Sequence, residues 1–233
     1  DVVRYPKQRE TLLQFMQQKP PVQKASFLKI SGVSSSSVKT LIKNGVLDQQ
    51  SVIVDRLAVK TAPETPPKVL TAPQQKALQS IQDDANETKR ILLHGVTASG
   101  KTEVYIHLVQ EMIDKGKQVL FLLPEIAVTT QIIKRLYVHF GQCMSVYHSR
   151  YTPSERAEVW NKVMQQHSSA QLIVGARSAV LLPFSNLGLV IVDESHEVAY
   201  KQFESNPRYH ARDVAVVLAG LHQAKIVMGS ASP

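Results

Sequence analysis

The feature that most constrains the fold of this chain is a short aliphatic segment, residues 91–93, that runs into a glycine-rich turn. The turn has the spacing Gly-x-x-x-x-Gly-Lys-Thr, and apolar residues at helical spacing follow it. A strand, a loop and a helix in this order place backbone N–H groups and a helix N-terminus around phosphate groups. The spacing therefore predicts a nucleoside triphosphate site made by Gly95, Val96, Thr97, Ala98, Ser99, Gly100, Lys101 and Thr102.

Two residues of this loop carry side-chain chemistry. We expect Lys101 to reach the outer phosphates and the Thr102 hydroxyl to bind Mg²⁺. The alternative is that the glycines form a tight turn between a strand and a helix and nothing more. Because strand, loop, lysine and helix all agree with the motif, the phosphate-binding interpretation is favoured.

A second aliphatic segment, residues 187–192, ends in two acids, Asp193 and Glu194. Ligands of open α/β sheets bind outside the carboxyl ends of the strands, which is where these carboxylates would lie. Asp193 would hold the metal ion and Glu194 would polarise the attacking water, the two functions that hydrolysis needs beyond a phosphate loop. The alternative is a pair of solvated acids at the start of the next helix.

Aliphatic and helical segments alternate through the rest of this region. The predicted strands are residues 91–93, 119–123, 144–147, 172–174, 189–192 and 226–228. The predicted helices are residues 103–115, 129–140, 153–166 and 213–221, and the single tryptophan, Trp160, is expected in the core. This alternation is typical of an α/β fold with a parallel sheet and helices on both faces.

A proline-rich stretch without periodicity divides the chain into two modules. We assign residues 1–57 to a small domain, residues 58–69 to a linker and residues 70–233 to the α/β lobe. The small domain shows three helical segments followed by two short apolar segments, at residues 46–47 and 51–54. Three helices and a hairpin form a winged helix, whose third helix would present Lys39 and Lys43 to a DNA groove or to phosphates. A protein-docking or spacer module is the alternative.

Charge and composition limit the classes of partner. The net charge is +8, and residues 1–57 hold nine Lys and Arg against four acids. This excess suggests contact with a phosphate backbone, with an ordinary basic surface as the alternative. No apolar run approaches the ~18 residues of a membrane helix. The single cysteine, Cys143, allows neither an intrachain disulfide nor a cysteine zinc site in this sequence, and we expect a cytoplasmic protein with no membrane partner.

Several motifs resemble those of superfamily 2 helicases. Residues 193–196, Asp-Glu-Ser-His, are similar to the Asp-Glu-x-His box, and residues 229–233, Gly-Ser-Ala-Ser-Pro, are similar to motif III. Residues 123–131 resemble motif Ia, and residues 175–184 resemble the Gly-Thr-Arg-Ser-Ala stretch. The run Arg-Tyr-His-Ala-Arg-Asp at residues 208–213 narrows the resemblance to the PriA-type primosomal helicases.

Three of these motifs contain a departure from the family pattern. Ala176 replaces a threonine that could contact a DNA phosphate, and Ser195 replaces an acid of the Asp-Glu box. Ser232 replaces the threonine of motif III but keeps a hydroxyl. Since none of these changes removes a metal or phosphate ligand, they place only secondary contacts in doubt.

The resemblance implies a winged helix followed by the first RecA-like lobe of an ATP- and Mg²⁺-dependent 3′→5′ DNA helicase. Its substrates would be forked or single-stranded DNA, and its partners other primosome or replication-restart proteins. The family carries a zinc-binding cysteine cluster in a later region, so we expect no zinc in this portion. We also expect this portion alone to hydrolyse ATP poorly and not to unwind DNA, because an arginine finger of the second lobe is worth ~10³ or more in rate.

The resemblance also implies roles for individual residues. Gln74 would contact the adenine edge, although it could instead be an exposed helix-start residue, and Gln75 stands next to it. Arg177 would meet a DNA phosphate, with a surface salt bridge as the alternative. The residues expected to couple nucleotide state to DNA contacts are His196, Ser230 and Ser232.

An aromatic-rich loop from residue 200 to residue 209 completes the candidate DNA-binding residues. Rings stack on bases while cations meet phosphates, which is how many proteins hold single strands. The residues expected to do so are Lys201, Phe203, Arg208 and Tyr209. The alternative is that the rings pack on the surface of the lobe.

Two other functional classes remain open from the sequence. One is a different superfamily 2 nucleic-acid translocase. The other is a non-motor winged-helix adaptor with a nucleotide-binding lobe, which the intact Lys101, Thr102, Asp193 and Glu194 disfavour.

Overall fold

The computed structural model describes residues 5–18, 22, 24–30, 32–48, 65–83, 90–96, 99–124, 130–148, 151–204 and 206–231. The chain divides into two compact units, residues 1–54 and residues 55–233. Within the described residues, no helix combines the length and apolar character needed to cross a bilayer.

The first unit contains three helices: α1 (Pro6–Met16), α2 (Lys24–Phe27) and α3 (Ser35–Lys43). Pro6 begins α1 at a position where a missing N–H costs nothing. The Ser34 side chain caps α3 by accepting a hydrogen bond from the Ser37 N–H at 3.1 Å. Phe27 and Leu41 are buried, so a small apolar core holds the helices together.

The strand predicted at residues 46–47 is wrong. The N–H groups of Val46 and Leu47 both donate to the Leu41 carbonyl oxygen, at 3.0 and 3.2 Å, and these residues therefore close the end of α3. Gly45, with φ +71°, makes this reversal possible because it adopts a left-handed conformation at low cost. The segment predicted as the second strand, residues 51–54, lies outside the described residues, and the winged helix stays a prediction.

The second unit is an α/β lobe built on six parallel strands in the order β1-β6-β5-β2-β4-β3. The strands are β1 (Arg90–His94), β2 (Gln118–Leu122), β3 (Met144–Tyr147), β4 (Leu172–Gly175), β5 (Leu187–Val192) and β6 (Lys225–Ser230). The helices are α4 (Ala72–Asp83), α5 (Lys101–Asp114), α6 (Thr130–Phe140), α7 (Pro153–Met164) and α8 (Ala211–Leu221). The predicted α/β fold is confirmed.

The core lies on both faces of the sheet. Successive residues of a strand point to opposite faces, so Leu120 and Leu122 enter one apolar cluster while Val119 and Phe121 enter the other. Helices α7 and α8 cover the first cluster, and α4, α5 and α6 cover the second. The central strands β2 and β5 are buried on both sides, which explains why their sequences are mostly apolar and do not alternate with polar residues.

The expected core position of Trp160 is wrong, because its side chain is 43% exposed. Helix α7 buries Val159 and Val163, which lie one helical turn apart on the same face. Trp160 follows Val159 directly and is rotated about 100° away from that face. The residue type suggested a core position for Trp160, but it does not indicate which face of the helix the side chain lies on.

Candidate functional site

The glycine-rich turn lies between β1 and α5, at the carboxyl edge of the sheet. The Gly95 N–H donates to the Ser230 carbonyl oxygen at 3.1 Å, which ties the start of the turn to the end of β6. Gly100 precedes α5 with φ +85°, and a Cβ there would overlap the Gln74 amide. Both the backbone conformation and the space therefore require glycine at this position. Thr97 and Ala98 lie outside the described residues, whereas Val96 is exposed and Ser99 donates its N–H to Val96.

Lys101 is the first residue of α5, and its side chain is only 9% exposed. Its Nζ donates to the Gly95 carbonyl oxygen at 2.6 Å and lies 3.7 Å from Oε1 of Glu194. The loop therefore encloses one ammonium group beside the acidic end of β5. A phosphate oxygen entering the loop would compete with the Gly95 carbonyl for this donor.

Asp193 continues β5, since its N–H donates to the Leu122 carbonyl oxygen at 3.0 Å. Its carboxylate Oδ1 accepts a hydrogen bond from Oη of Tyr105 at 3.2 Å. Burial raises the pKa of the Asp193 carboxyl, and the neighbouring Glu194 carboxylate raises it further. A divalent cation beside Asp193 would oppose both effects, since opposite charge favours the ionised form.

Glu194 adopts a left-handed conformation, with φ +46°, which turns its side chain back toward the loop. Its Oε2 is buried and accepts no hydrogen bond from the described residues, and it lies 3.7 Å from Nδ1 of His196. Buried carboxylate oxygens are normally paired, so an unpaired one indicates a ligand or a water. This edge of the sheet holds one ammonium group, which can donate to phosphate oxygens, and two carboxylates, which can bind Mg²⁺. Together these groups fit a magnesium–phosphate group.

The segment after β5 is joined to the end of β6. Oγ of Ser230 and Nδ1 of His196 share a hydrogen bond of 3.0 Å, and the Ser195 N–H donates to the Gly229 carbonyl oxygen at 2.8 Å. Two of the three residues expected to couple nucleotide and DNA are therefore in direct contact. The third, Ser232, lies outside the described residues.

Gln74 lies in the first turn of α4, beside the glycine-rich turn. Its Oε1 accepts hydrogen bonds from the N–H and the hydroxyl of Thr71, both at 2.9 Å, and its Nε2 donates to the Gly100 carbonyl oxygen at 3.4 Å. Gln74 thus acts as a helix-capping residue here while it touches the predicted site. Its neighbour Gln75 is exposed. An adenine edge would have to take the place of Thr71 as the partner of this amide.

The residues predicted in the aromatic-rich loop line a cavity of about 370 Å³, which we call the 201–210 cleft. Its lining residues are Lys201, Gln202, Phe203, Arg208, Tyr209 and His210. Phe203 is 51% exposed, and the Lys201 ammonium lies 4.9 Å from the centre of its ring. Arg177 donates from Nη1 to the Lys201 carbonyl oxygen at 3.0 Å. The structure therefore gathers five predicted DNA-contact residues at one place.

The remaining two predicted DNA contacts, Lys39 and Lys43, lie on α3 in the first unit. They are four residues apart, both exposed, and on the opposite side of the helix from the buried Val38 and Leu41. This face of α3 is therefore positively charged and accessible.

The sequence did not predict the contacts that two tyrosine hydroxyls make at the site. Tyr200 stands in the aromatic-rich loop but is fully buried, so its ring cannot stack on a base. Its Oη lies 2.5 Å from the Asp193 carbonyl oxygen and 3.1 Å from that of Leu122. Tyr105 was assigned no role from the sequence, because a single sequence carries no signal of the partner that its hydroxyl finds.

We expect Tyr200→Phe to destabilise the lobe by about 1–2 kcal/mol, because a buried hydrogen bond to a backbone carbonyl is lost. Denaturant unfolding of the two proteins would measure the difference. Tyr151→Phe is the matched control, since Tyr151 is only half-buried and, among the described residues, no hydrogen bond ties its hydroxyl to the site. Equal stability of Tyr200→Phe and the wild type would show that the Tyr200 hydroxyl does not anchor this segment.

Comparison with known proteins identifies the family to which this chain is similar. The sequence profile of the DEAD/DEAH box helicases matches residues 71–233. Replication restart protein PriA of Bacillus subtilis is 39% identical over 97% of this chain and 28% of its own length. PriA of Haemophilus influenzae is 46% identical over 61% of this chain and 19% of its own length. The chain spans less than a third of the length of these relatives.

Solved structures agree on the fold. RecG bound to a three-way DNA junction superimposes with a TM-score of 0.53 at 20% identity, over 97% of this chain and 25% of RecG. The helicase MrfA bound to DNA gives 0.52 at 20% identity, over 70% of this chain and 24% of MrfA. At such identities the likeness concerns the fold alone, which is that of a RecA-like helicase lobe. The motif resemblance to PriA-type helicases is confirmed by the sequence comparisons, and the chain belongs to the DEAD/DEAH box helicase family.

Proposed function

We propose that this chain is the ATP-binding portion of a 3′→5′ DNA helicase that acts in replication restart. The similar PriA proteins carry the name replication restart protein. The observation that carries the proposal is the convergence of Lys101, Asp193 and Glu194 at the carboxyl edge of the sheet. Lys101 Nζ lies 3.7 Å from the Glu194 carboxylate, and the half-buried Asp193 side chain precedes Glu194 in the chain. These are the groups that phosphoryl transfer to water requires.

In this proposal the glycine-rich turn and Lys101 hold the outer phosphates, and Gln74 meets the adenine edge. Thr102 and Asp193 hold Mg²⁺, which when bound draws charge from the phosphate oxygens. Glu194 orients and polarises the attacking water, and its buried Oε2 is the atom suited to accept that hydrogen bond.

The DNA side of the proposal rests on charge and exposed rings. The 201–210 cleft offers the exposed ring of Phe203 and the cations Lys201 and Arg208 to a single strand. Arg177 reaches the same segment through the Lys201 carbonyl. Lys39 and Lys43 add a basic face on α3, suited to duplex phosphates.

The contact between His196 and Ser230 supports a coupling role, because it links the segment that carries Glu194 to the end of β6. A change around the nucleotide would reach β6 through this hydrogen bond. We assign Ser232 to the same function on the strength of its motif.

The test is DNA-stimulated ATP hydrolysis and unwinding by the full-length protein, on a forked duplex with a 3′ single-stranded arm. We expect Phe203→Ala to lower DNA stimulation about 10-fold, since one stacked base contributes ~1–3 kcal/mol. Lys201→Ala should lower it as well, because a cation that meets DNA phosphates and lies over the Phe203 ring is lost. DNA-free hydrolysis should stay unchanged in both variants. Trp160→Ala is the control, because Trp160 is an exposed aromatic residue outside the cleft. Unwinding only of 5′-armed substrates, or equal stimulation in all variants, would contradict the proposal.

A further inference from the structure

Tyr105 is one of the largest fully buried side chains of the lobe. It lies on α5 four residues after Lys101, and its ring packs edge-to-face on Phe121 of β2, with centroids 5.5 Å apart. A phenylalanine at position 105 could make the same ring contact with Phe121. The phenol hydroxyl therefore calls for a separate explanation, because a buried hydroxyl is costly unless it is hydrogen-bonded.

The described partner of this hydroxyl is the Asp193 carboxylate, whose Oδ1 accepts from Tyr105 Oη at 3.2 Å. A hydrogen bond to an ionised acceptor is stronger than a neutral one, and it fixes the direction of the acceptor. The Asp193 backbone is held as well, through its N–H to Leu122 and its carbonyl to Tyr200. The side-chain torsion of Asp193 is the remaining freedom, and Tyr105 restricts it.

Gly229 lies on the other side of the same hydroxyl. A Cβ at this position would overlap Tyr105 Oη and would lie 3.0 Å from Asp193 Oδ1. The backbone of Gly229 is not in the left-handed region, so space and not conformation requires glycine here. Helix α5 and strands β5 and β6 therefore meet at a single hydroxyl group.

We propose that Tyr105 is a positioning residue: its hydroxyl holds the Asp193 carboxylate in the orientation that binds Mg²⁺, and Gly229 lacks a side chain in order to admit it. The inference rests on the proposed function, because it assumes that Asp193 is a ligand of Mg²⁺ bound with nucleotide. It adds that one helix does both tasks, since α5 carries Lys101 and Thr102 for the phosphates and Tyr105 for the metal-binding acid. Groups that orient a metal ligand typically contribute 10- to 100-fold in metal affinity.

The first experiment measures how binding of a fluorescent ADP analogue depends on Mg²⁺ concentration, in the 233-residue chain. For Tyr105→Phe we expect the half-saturating Mg²⁺ concentration to rise about 10-fold, with nucleotide affinity in EDTA unchanged. Tyr137→Phe is the control, because Tyr137 packs against the same apolar cluster but lies on α6. Thermal unfolding of each variant confirms that it is folded.

The second experiment uses the contact with Gly229 and needs no nucleotide. We expect Gly229→Ala to lower the midpoint of thermal unfolding by several degrees, because its Cβ collides with the Tyr105 hydroxyl. Adding Tyr105→Phe should recover more than half of that loss, since the overlapping atom is then gone. A double variant no more stable than Gly229→Ala would overturn the steric part of the proposal.

The two proposals fail in different ways. If the wild-type chain binds no nucleotide, or if Lys101→Ala binds as well as the wild type, the proposed nucleotide site is wrong. If the wild type binds in a Mg²⁺-dependent manner and Tyr105→Phe has the same Mg²⁺ dependence, only the role of Tyr105 is wrong.

Discussion

Glu194→Gln is expected to reduce ATP hydrolysis by the full-length protein about 10³-fold while nucleotide affinity stays within about 3-fold of the wild type. Glutamine keeps the size and shape of the side chain but loses the negative charge that polarises a water molecule. The phosphates are held by the loop and Lys101, which this change leaves in place. Steady-state hydrolysis and nucleotide titration of the same protein would separate the two effects.

The matched control is Glu197→Gln, which removes an exposed carboxylate three residues later in the same segment. We expect its hydrolysis rate to match that of the wild type. Hydrolysis by Glu194→Gln within 10-fold of the wild type would assign the attacking water to another residue. An equal loss in both variants would indicate a general effect of charge.

Lys101→Ala should weaken binding of Mg²⁺–nucleotide about 100-fold, because charge-assisted hydrogen bonds of ~1.5–3 kcal/mol each are lost. The ammonium group is enclosed by the loop, where water screens its charge little. Lys101 also neighbours Glu194, so its removal leaves that carboxylate without its nearest cation. Calorimetric titration with a non-hydrolysable ATP analogue would measure the loss.

Lys115→Ala serves as the control for Lys101→Ala. Lys115 follows the same helix at its other end, is 58% exposed and pairs with Glu111, so its loss should leave nucleotide affinity unchanged. Wild-type affinity in Lys101→Ala would mean that the enclosed ammonium does not meet the phosphates.

The strands and the glycine-rich turn could be predicted because burial leaves a direct mark on their sequence. Strands β2 and β5 are buried on both faces and consist mostly of apolar residues. The acids after β5 were predictable for a related reason, since polar residues at the end of a buried strand stand at the edge of the sheet. Lys101, Asp193 and Glu194 therefore fall together as their positions in the chain indicated.

Helix α4 was anticipated only as the alternative interpretation of Gln74, as a helix-start residue, because most of its residues are polar and its second residue is a proline. Only a narrow stripe, with Leu78 and Ile81, packs on the lobe, and such a stripe gives little periodicity in a single sequence. Gln74 could be assigned either to the adenine edge or to the start of a helix, because its amide both contacts the glycine-rich turn and caps α4.

Contacts between distant segments were beyond the reach of sequence patterns. The hydrogen bond from Tyr105 to Asp193 joins residues 88 positions apart, and neither residue type indicates the other. The steric need for glycine at position 229 appears only when that hydroxyl is in place. Tyr200 is buried with its hydroxyl bonded to two backbone carbonyls, and the aromatic composition of its loop gives no indication of these contacts.

We infer that the carboxyl edge of this sheet binds a magnesium nucleotide. The most direct measurement is titration of the 233-residue chain with a fluorescent ADP analogue, with Mg²⁺ and with EDTA, followed by displacement with unlabelled ATP. We expect saturable binding that Mg²⁺ strengthens, that ATP displaces and that Lys101→Ala abolishes over the same concentration range. Binding that is absent, or that neither Mg²⁺ nor Lys101→Ala affects, would contradict it.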